Sequence, residues 1–220
     1  MNELDKSFKK TASIKYGVGS RYRNPPKFRE IPERMMKYEL AEQLAKDILP
    51  EKGMRHFCFL SGRFIAGDFL EAWIVAHDLH IKELTISTLS ISEANIDSLA
   101  NLLNGGYVEA LNMIVSDYFY SHERQNLVPY MLKQLDKNDR FQIAVCGTHC
   151  KLAMMETVNG NKVVIHGSAN LRSSGNLEHF CIEENPELYD FNHQIQKSIM
   201  QKYWVIKKSL RHDVLWQTIK

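Results

Sequence analysis

The chain has 220 residues, 44% of them apolar, and 28 Lys and Arg against 26 Asp and Glu give a formal net charge of +2. That is ordinary composition for a globular chain, and the length favours one core over two. The charge is too small to demand a nucleic-acid partner and does not exclude one. The N-terminus is charged and lacks an apolar signal core, and no run of about 18 apolar residues occurs anywhere, so a soluble, cytoplasmic protein is expected, with no membrane partner.

Residues 1–34 form a basic arm with nine Lys or Arg against four acids, a local balance of +5. Such a stretch is either a solvated arm or one that attracts phosphate. Asn24-Pro25-Pro26 and Ile31-Pro32 then break regular structure. The remaining residues, 35–220, are expected to form the folded domain. Helical spacing of Met36, Leu40, Leu44 and Ile48 predicts a helix over 33–49, stopped by Pro50. Residues 55–60 (RHFCFL) read as a short buried strand, 67–80 as a helix through Phe69, Leu70, Trp73 and Ile74, and 83–91 as a β-branched strand. A helix over 93–103 closes at Gly105-Gly106. Next come a strand over 108–115, a helix over 121–135, strand-like runs over 142–158 and 162–169, and a final helix over 186–208 anchored by Trp204. Strands alternating with helices of these lengths predict an α/β fold with a parallel or mixed sheet and helices on both faces.

Cys58, Cys146, Cys150 and Cys181 match no disulfide framework. Cys146, His149 and Cys150 lie close together, but no second ligand cluster follows at a usual zinc spacing. Reduced, buried thiols are therefore expected, with no metal and no cofactor.

Residues 147–178, GTHCKLAMMETVNGNKVVIHGSANLRSSGNLE, carry the chemistry. Asn159-Gly160 between two apolar runs is a strong hairpin signal. Folded about a two-residue turn, the hairpin sets His149 opposite Asn170 and Lys151 opposite Ser168, all on one face. Histidine can act as nucleophile, base or acid near neutral pH, and lysine, serine and asparagine can hold phosphate oxygens. On residue types alone, the patch fits either a phosphate site or the polar face of an edge hairpin.

His149-Cys150-Lys151, four residues, Glu156, then Gly167-Ser168-Ala169-Asn170 resembles the signature of the phospholipase D superfamily. That signature is His-x-Lys, four residues, Asp, six residues and Gly-Ser-x-Asn, often followed by an acid, which Glu178 resembles. Here Glu156 stands for the Asp, and ten residues separate it from Gly167. Two added residues per strand lengthen the hairpin by about 7 Å and keep its pairing. Position 156 has the parity opposite to 149 and 151, so its carboxylate is read as a structural partner.

The resemblance implies an α-β-α sandwich and a metal-independent phosphodiesterase. His149 would form a phosphohistidine, Lys151 and Asn170 would bind phosphate oxygens, Ser168 would orient groups nearby, and Glu178 would fix a histidine tautomer. The family uses two signatures per site, and this sequence holds one. His80-Ile81-Lys82 has the His-x-Lys spacing without a Gly-Ser-x-Asn after it. The resemblance therefore implies a homodimer, with nucleic acid as the favoured substrate. The alternative is a catalytically inactive dimer of the same fold that binds nucleic acid or a partner protein. Arg63 and Asp117, at predicted C-terminal strand ends, are candidate substrate contacts. His166, paired with Ala153 in this register, is a third on the His149 face. His179 fits core or surface equally, and Phe57, Phe59, Trp73 and Trp204 are read as packing residues.

Overall fold

A computed structural model describes residues 33–49, 53, 55–60, 64–172 and 175–205, with the backbone alone for 33–39. Residues 1–32 of the basic arm, Arg63 and the chain beyond 205 lie outside the described residues. In chain order the elements are α1 (Glu33–Asp47), β1 (Arg55–Leu60), α2 (Ala66–Ala76), β2 (Ile81–Thr88), α3 (Glu93–Asn104), β3 (Val108–Ser116), α4 (Asp117–His122) and α5 (Leu127–Leu135). They continue with β4 (Phe141–Cys146), β5 (Leu152–Thr157), β6 (Lys162–Gly167), β7 (Glu178–Glu184) and α6 (Pro186–Tyr203).

The strands form one mixed sheet in the order β1-β7-β6-β5-β2-β3-β4. β2, β3 and β4 are parallel neighbours joined by helical crossovers, whereas β5, β6, β7 and β1 pair antiparallel. Alternation along the strands divides the apolar residues between two faces. Leu84, Ile86, Met113, Val115 and Met155 face a large core that also takes Phe69 and Trp73 of α2 and Ile96 of α3. The other face is smaller, and there α6 lays Tyr189 against Met154 and Val164.

Local signals explain the helix limits. Ser92 and Asn95 form a reciprocal capping box at the start of α3, and Gly106 follows its end at φ +77°. The Asn185 side chain accepts from the Leu188 N–H and Pro186 opens α6.

Two expectations are corrected, and one strand was missed. The run read as one strand over 142–158 is two, β4 and β5, because Gly147-Thr148-His149-Cys150 interrupts the apolar pattern with polar groups. The helix expected over 121–135 is two, α4 and α5. Strand β7 had no signal of its own, since its apolar core is short and flanked by acids.

The hairpin register is also corrected. Its loop has three residues, not two: Thr157 pairs with Asn161, donating its N–H to the Asn161 carbonyl at 2.9 Å, while the Thr157 hydroxyl accepts from Asn161 N–H at 3.0 Å. Gly160 closes the turn at φ +84°, where a side chain is strained. Every pairing is shifted by one residue from the two-residue fold, so that Leu152 faces His166 and Glu156 faces Lys162. Gly160→Ala is expected to lower unfolding stability by about 1–2 kcal/mol, read as a lower denaturant midpoint with an unchanged m-value.

Candidate active site at one edge of the sheet

The strand directions bring separate parts of the sequence to one sheet edge. β1, β2, β3, β4 and β6 end there, and β5 and β7 begin there. Across the sheet this edge presents Glu178, Ser168, Lys151, Thr88, Asp117 and Cys146 in turn. Residues 147–151 cross it, running from the outermost strand β4 past the ends of β3 and β2 to β5. Strands lie about 4.8 Å apart, so the crossing spans roughly 14 Å, more than the roughly 9 Å that six helical steps would give.

His149 is in the middle of this crossing, exposed, and its imidazole has no partner among the described residues. The Lys151 ammonium donates to the His149 carbonyl at 3.1 Å, and the Thr148 hydroxyl accepts from the Cys150 N–H at 3.1 Å. These two contacts shape the turn without engaging the ring. Burial pushes the neighbouring Cys146 thiol up, and Asp117 and Cys150 push it in the same direction.

The β6 end is more tightly built. A Cβ on Gly167 would lie 2.2 Å from the His179 carbonyl oxygen and 2.7 Å from Phe180 Cα, so only glycine allows β6 and β7 to approach this closely. Ser168 N–H donates to the His179 carbonyl at 2.9 Å, the Ser168 hydroxyl oxygen accepts from His179 N–H at 3.0 Å, and the hydroxyl donates to the Glu178 carboxylate. Asn170 reaches the neighbouring crossover: its carbonyl accepts from Leu89 N–H at 3.1 Å and from the Thr88 hydroxyl at 3.5 Å. That fixes the amide's orientation and leaves its NH2 group without a partner among the described residues. Leu171 N–H donates to Thr88 Oγ1 at 3.4 Å and its carbonyl accepts from Gly67 N–H at 3.1 Å, which ties this turn to α2 as well. Thr88, Lys151, Gly167, Ala169, Leu171 and Phe180 line a small, mainly apolar pocket at this edge.

His149, Lys151, Ser168, Asn170 and Glu178 thus share one edge, but not as facing pairs of a ladder. With the one-residue shift, Gly167 N–H reaches the Lys151 carbonyl at 3.4 Å, and the residues before Leu152 leave the strand. Glu178 accepts from the Ser168 hydroxyl. Glu156 lies toward the opposite end of β5, on the α6 face, 3.3 Å from Lys82 Nζ. Asp117 is at this edge, exposed, with Oδ1 accepting from Tyr118 N–H at 2.8 Å.

His166 is corrected: it pairs with Leu152, not Ala153, and its Nε2 lies 3.2 Å from Glu183 Oε1. Phe57 and Phe59 are corrected too, since they are 46% and 56% exposed on the edge strand, whereas Trp73 is fully buried. Trp204 is 40% exposed beside β4, and His179 is on the surface. Sequence reasoning missed Thr88 and Leu89, which hold Asn170; a single strand-end threonine gives no signal of that.

No known family's profile matches the sequence, and no curated protein matches it. Solved structures do. Polyphosphate kinase from Porphyromonas gingivalis superposes with a TM-score of 0.51 over 67% of this chain, at 10% identity. Only 26% of that kinase is covered, so the chain spans about a quarter of its length. The phospholipase D family member Nuc from Salmonella typhimurium gives a TM-score of 0.49 at 12% identity, covering 68% of this chain and 95% of Nuc. NucT from Helicobacter pylori gives 0.48 at 14% identity, covering 70% and 100%. The chain shares its α/β fold with that part of the polyphosphate kinase. At these identities the likeness concerns the fold alone, and the site stands on its own geometry.

The two strands that carry Ser168 and Glu178 share a charged contact further down. Burial alone would raise the Glu183 carboxyl, yet hydrogen bonds from Arg55, Asn185 and His166 outweigh it and hold the group below its ordinary range. A depressed carboxyl contributes stability above its unfolded value, and loses it as pH falls through the folded one. Among the described residues no helix is long and apolar enough to cross a membrane.

The tightest constraint at the edge is the Gly167 contact. Gly167→Ala is expected to force β6 and β7 apart and cost at least about 1–3 kcal/mol, read as a lower thermal midpoint; an unchanged midpoint would mean that the close approach is not real.

Proposed function

We propose that this chain is a metal-independent phosphodiesterase acting on DNA or RNA, with His149 as nucleophile in a site completed by a second copy. The observation that carries the reading is the convergence of His149, Lys151, Ser168, Asn170 and Glu178 on one sheet edge, at the adjoining ends of the consecutive strands β5, β6 and β7. An imidazole nitrogen of His149 attacks phosphorus and forms the P–N bond. The leaving oxygen departs with a proton from the same histidine of the second copy. That second histidine, now neutral, takes a proton from water, whose oxygen displaces His149 and breaks the P–N bond.

The Lys151 ammonium and the Asn170 NH2 supply positive charge and a donor for the nonbridging oxygens, where charge builds in the transition state. Ser168 and Glu178 act as a positioning pair that braces the β6 end. The exposed ring of His149 supports an unhindered approach of a polymeric diester. Glu156 is remote from this edge, so its departure from Asp and the lengthened hairpin need not touch the chemistry. For the second copy, support comes from the α6 face of the sheet. Among the described residues one helix covers it, and Phe57, Phe59, Phe191 and Ile195 are exposed on and beside it. Apolar surface of this kind is expected at an interface.

The test is incubation with single- and double-stranded DNA and RNA in EDTA, beside a folded His149→Ala variant. Cleavage is expected to persist in EDTA and to fall at least about 1,000-fold in the variant, a loss of about 4 kcal/mol in transition-state stabilisation. Sedimentation of the same samples is expected to give a dimer. Salt-sensitive binding without cleavage would replace this reading with a nucleic-acid-binding dimer, and turnover only on a lipid or small diester would remove the nuclease assignment.

A further inference from the structure

We propose that His166, Cys181 and Glu183 form a binding site for a divalent cation of the zinc class, separate from the edge where His149 lies. The strand register builds it. Cys181 and Glu183 are two apart on β7 and so point to one face, and His166 on β6 is paired directly with Cys181. One ligand atom from each, an imidazole nitrogen, a thiol sulfur and a carboxylate oxygen, all lie within 4.8 Å of one another. Cys181 is 1% exposed and Glu183 5% exposed, while His166 is partly open to solvent.

The donor set is the one zinc selects. Nitrogen, sulfur and oxygen donors at about 2.0–2.3 Å, arranged tetrahedrally, stand roughly 3.3–3.8 Å apart. His166 Nε2 and Glu183 Oε1 are already at 3.2 Å. The remaining pairs, all within 4.8 Å, reach that range by a small side-chain movement, and the fourth position would face solvent. Arg55 leaves room for this. Its Nε and an Nη hold Glu183 Oε2 at 2.9 and 2.8 Å, and Asn185 Nδ2 reaches the same oxygen at 3.3 Å. Oε1 is thereby turned toward His166, and a carboxylate held by outer hydrogen bonds is the usual form of a metal ligand.

On binding, the Cys181 thiol loses its proton to solvent and the thiolate takes the cation. His166, whose Nε2–H bonds Glu183 in the unbound site, releases that proton to solvent or shifts it to Nδ1, and gives the Nε2 lone pair to the cation. The site would clamp β6 to β7 a short way below Gly167, where the same two strands carry Ser168 and Glu178. Its role is structural, and it stands whether or not the chain cleaves phosphodiesters.

The test is titration of the full-length, chelator-stripped chain with Co2+ and then Zn2+. One equivalent of Co2+ is expected to give ultraviolet thiolate-to-cobalt charge-transfer absorption, displaced by Zn2+, and Zn2+ is expected to raise the thermal midpoint. Both signals should survive in Cys150→Ser and vanish in Cys181→Ser. His166→Gln, at a partly open position, serves if Cys181→Ser does not fold, and it should weaken binding at least 10-fold. Absence of a saturable one-equivalent site in the wild-type chain would overturn the proposal, as would charge transfer that persists without Cys181 or binding unchanged without His166.

Discussion

Residues 147–151 carry the chain from the outermost parallel strand across the ends of two others before it turns back. With so few residues to span about three strand spacings, the crossing must stay at the strand ends and cannot be helical. The reversal also makes β5 antiparallel to β2, so β6 ends and β7 begins at the same edge. A longer or helical connection would relax that constraint, and His149, Ser168 and Glu178 would no longer be obliged to meet.

The two halves of this edge are built differently. On the β6 side, Gly167 closes the approach to β7, Ser168 bonds across it, and Asn170 grips Leu89 and Thr88 after β2. Donors fixed in this way need little reorganisation when charge develops on a bound phosphate. On the crossing, the contacts at Lys151 and Thr148 engage backbone groups only, and the His149 ring stays outside them. On the proposed function, a nucleophile that meets both phosphorus and a second copy would benefit from that freedom, whereas the oxyanion donors would benefit from rigidity.

Much of the sheet could be read from the sequence because its strands are rich in β-branched residues and its helices carry clear stops, as at Ser92 and Gly105-Gly106. The site's residue types were legible from 149 to 178, but their relation was not. Asn159-Gly160 marks a hairpin without fixing whether its loop has two or three residues. Thr157 decides that here, by accepting from Asn161 N–H. A one-residue difference moved His166 to the opposite face, toward Cys181 and Glu183, and ended the ladder at Leu152. β7 was hidden for a related reason: its residues have meaning only against β6 and β1, and a single short strand gives no periodicity to read.

The central claim is that His149 forms a covalent bond to phosphorus at this edge. It is tested most directly by mixing the chain with an end-labelled oligonucleotide, quenching at alkaline pH where a phosphoramidate survives, and locating the label by peptide mapping. The account predicts label on His149 that accumulates within one turnover and is absent from His149→Ala. Cleavage that proceeds with no protein-bound label, or with label on another residue, would contradict it.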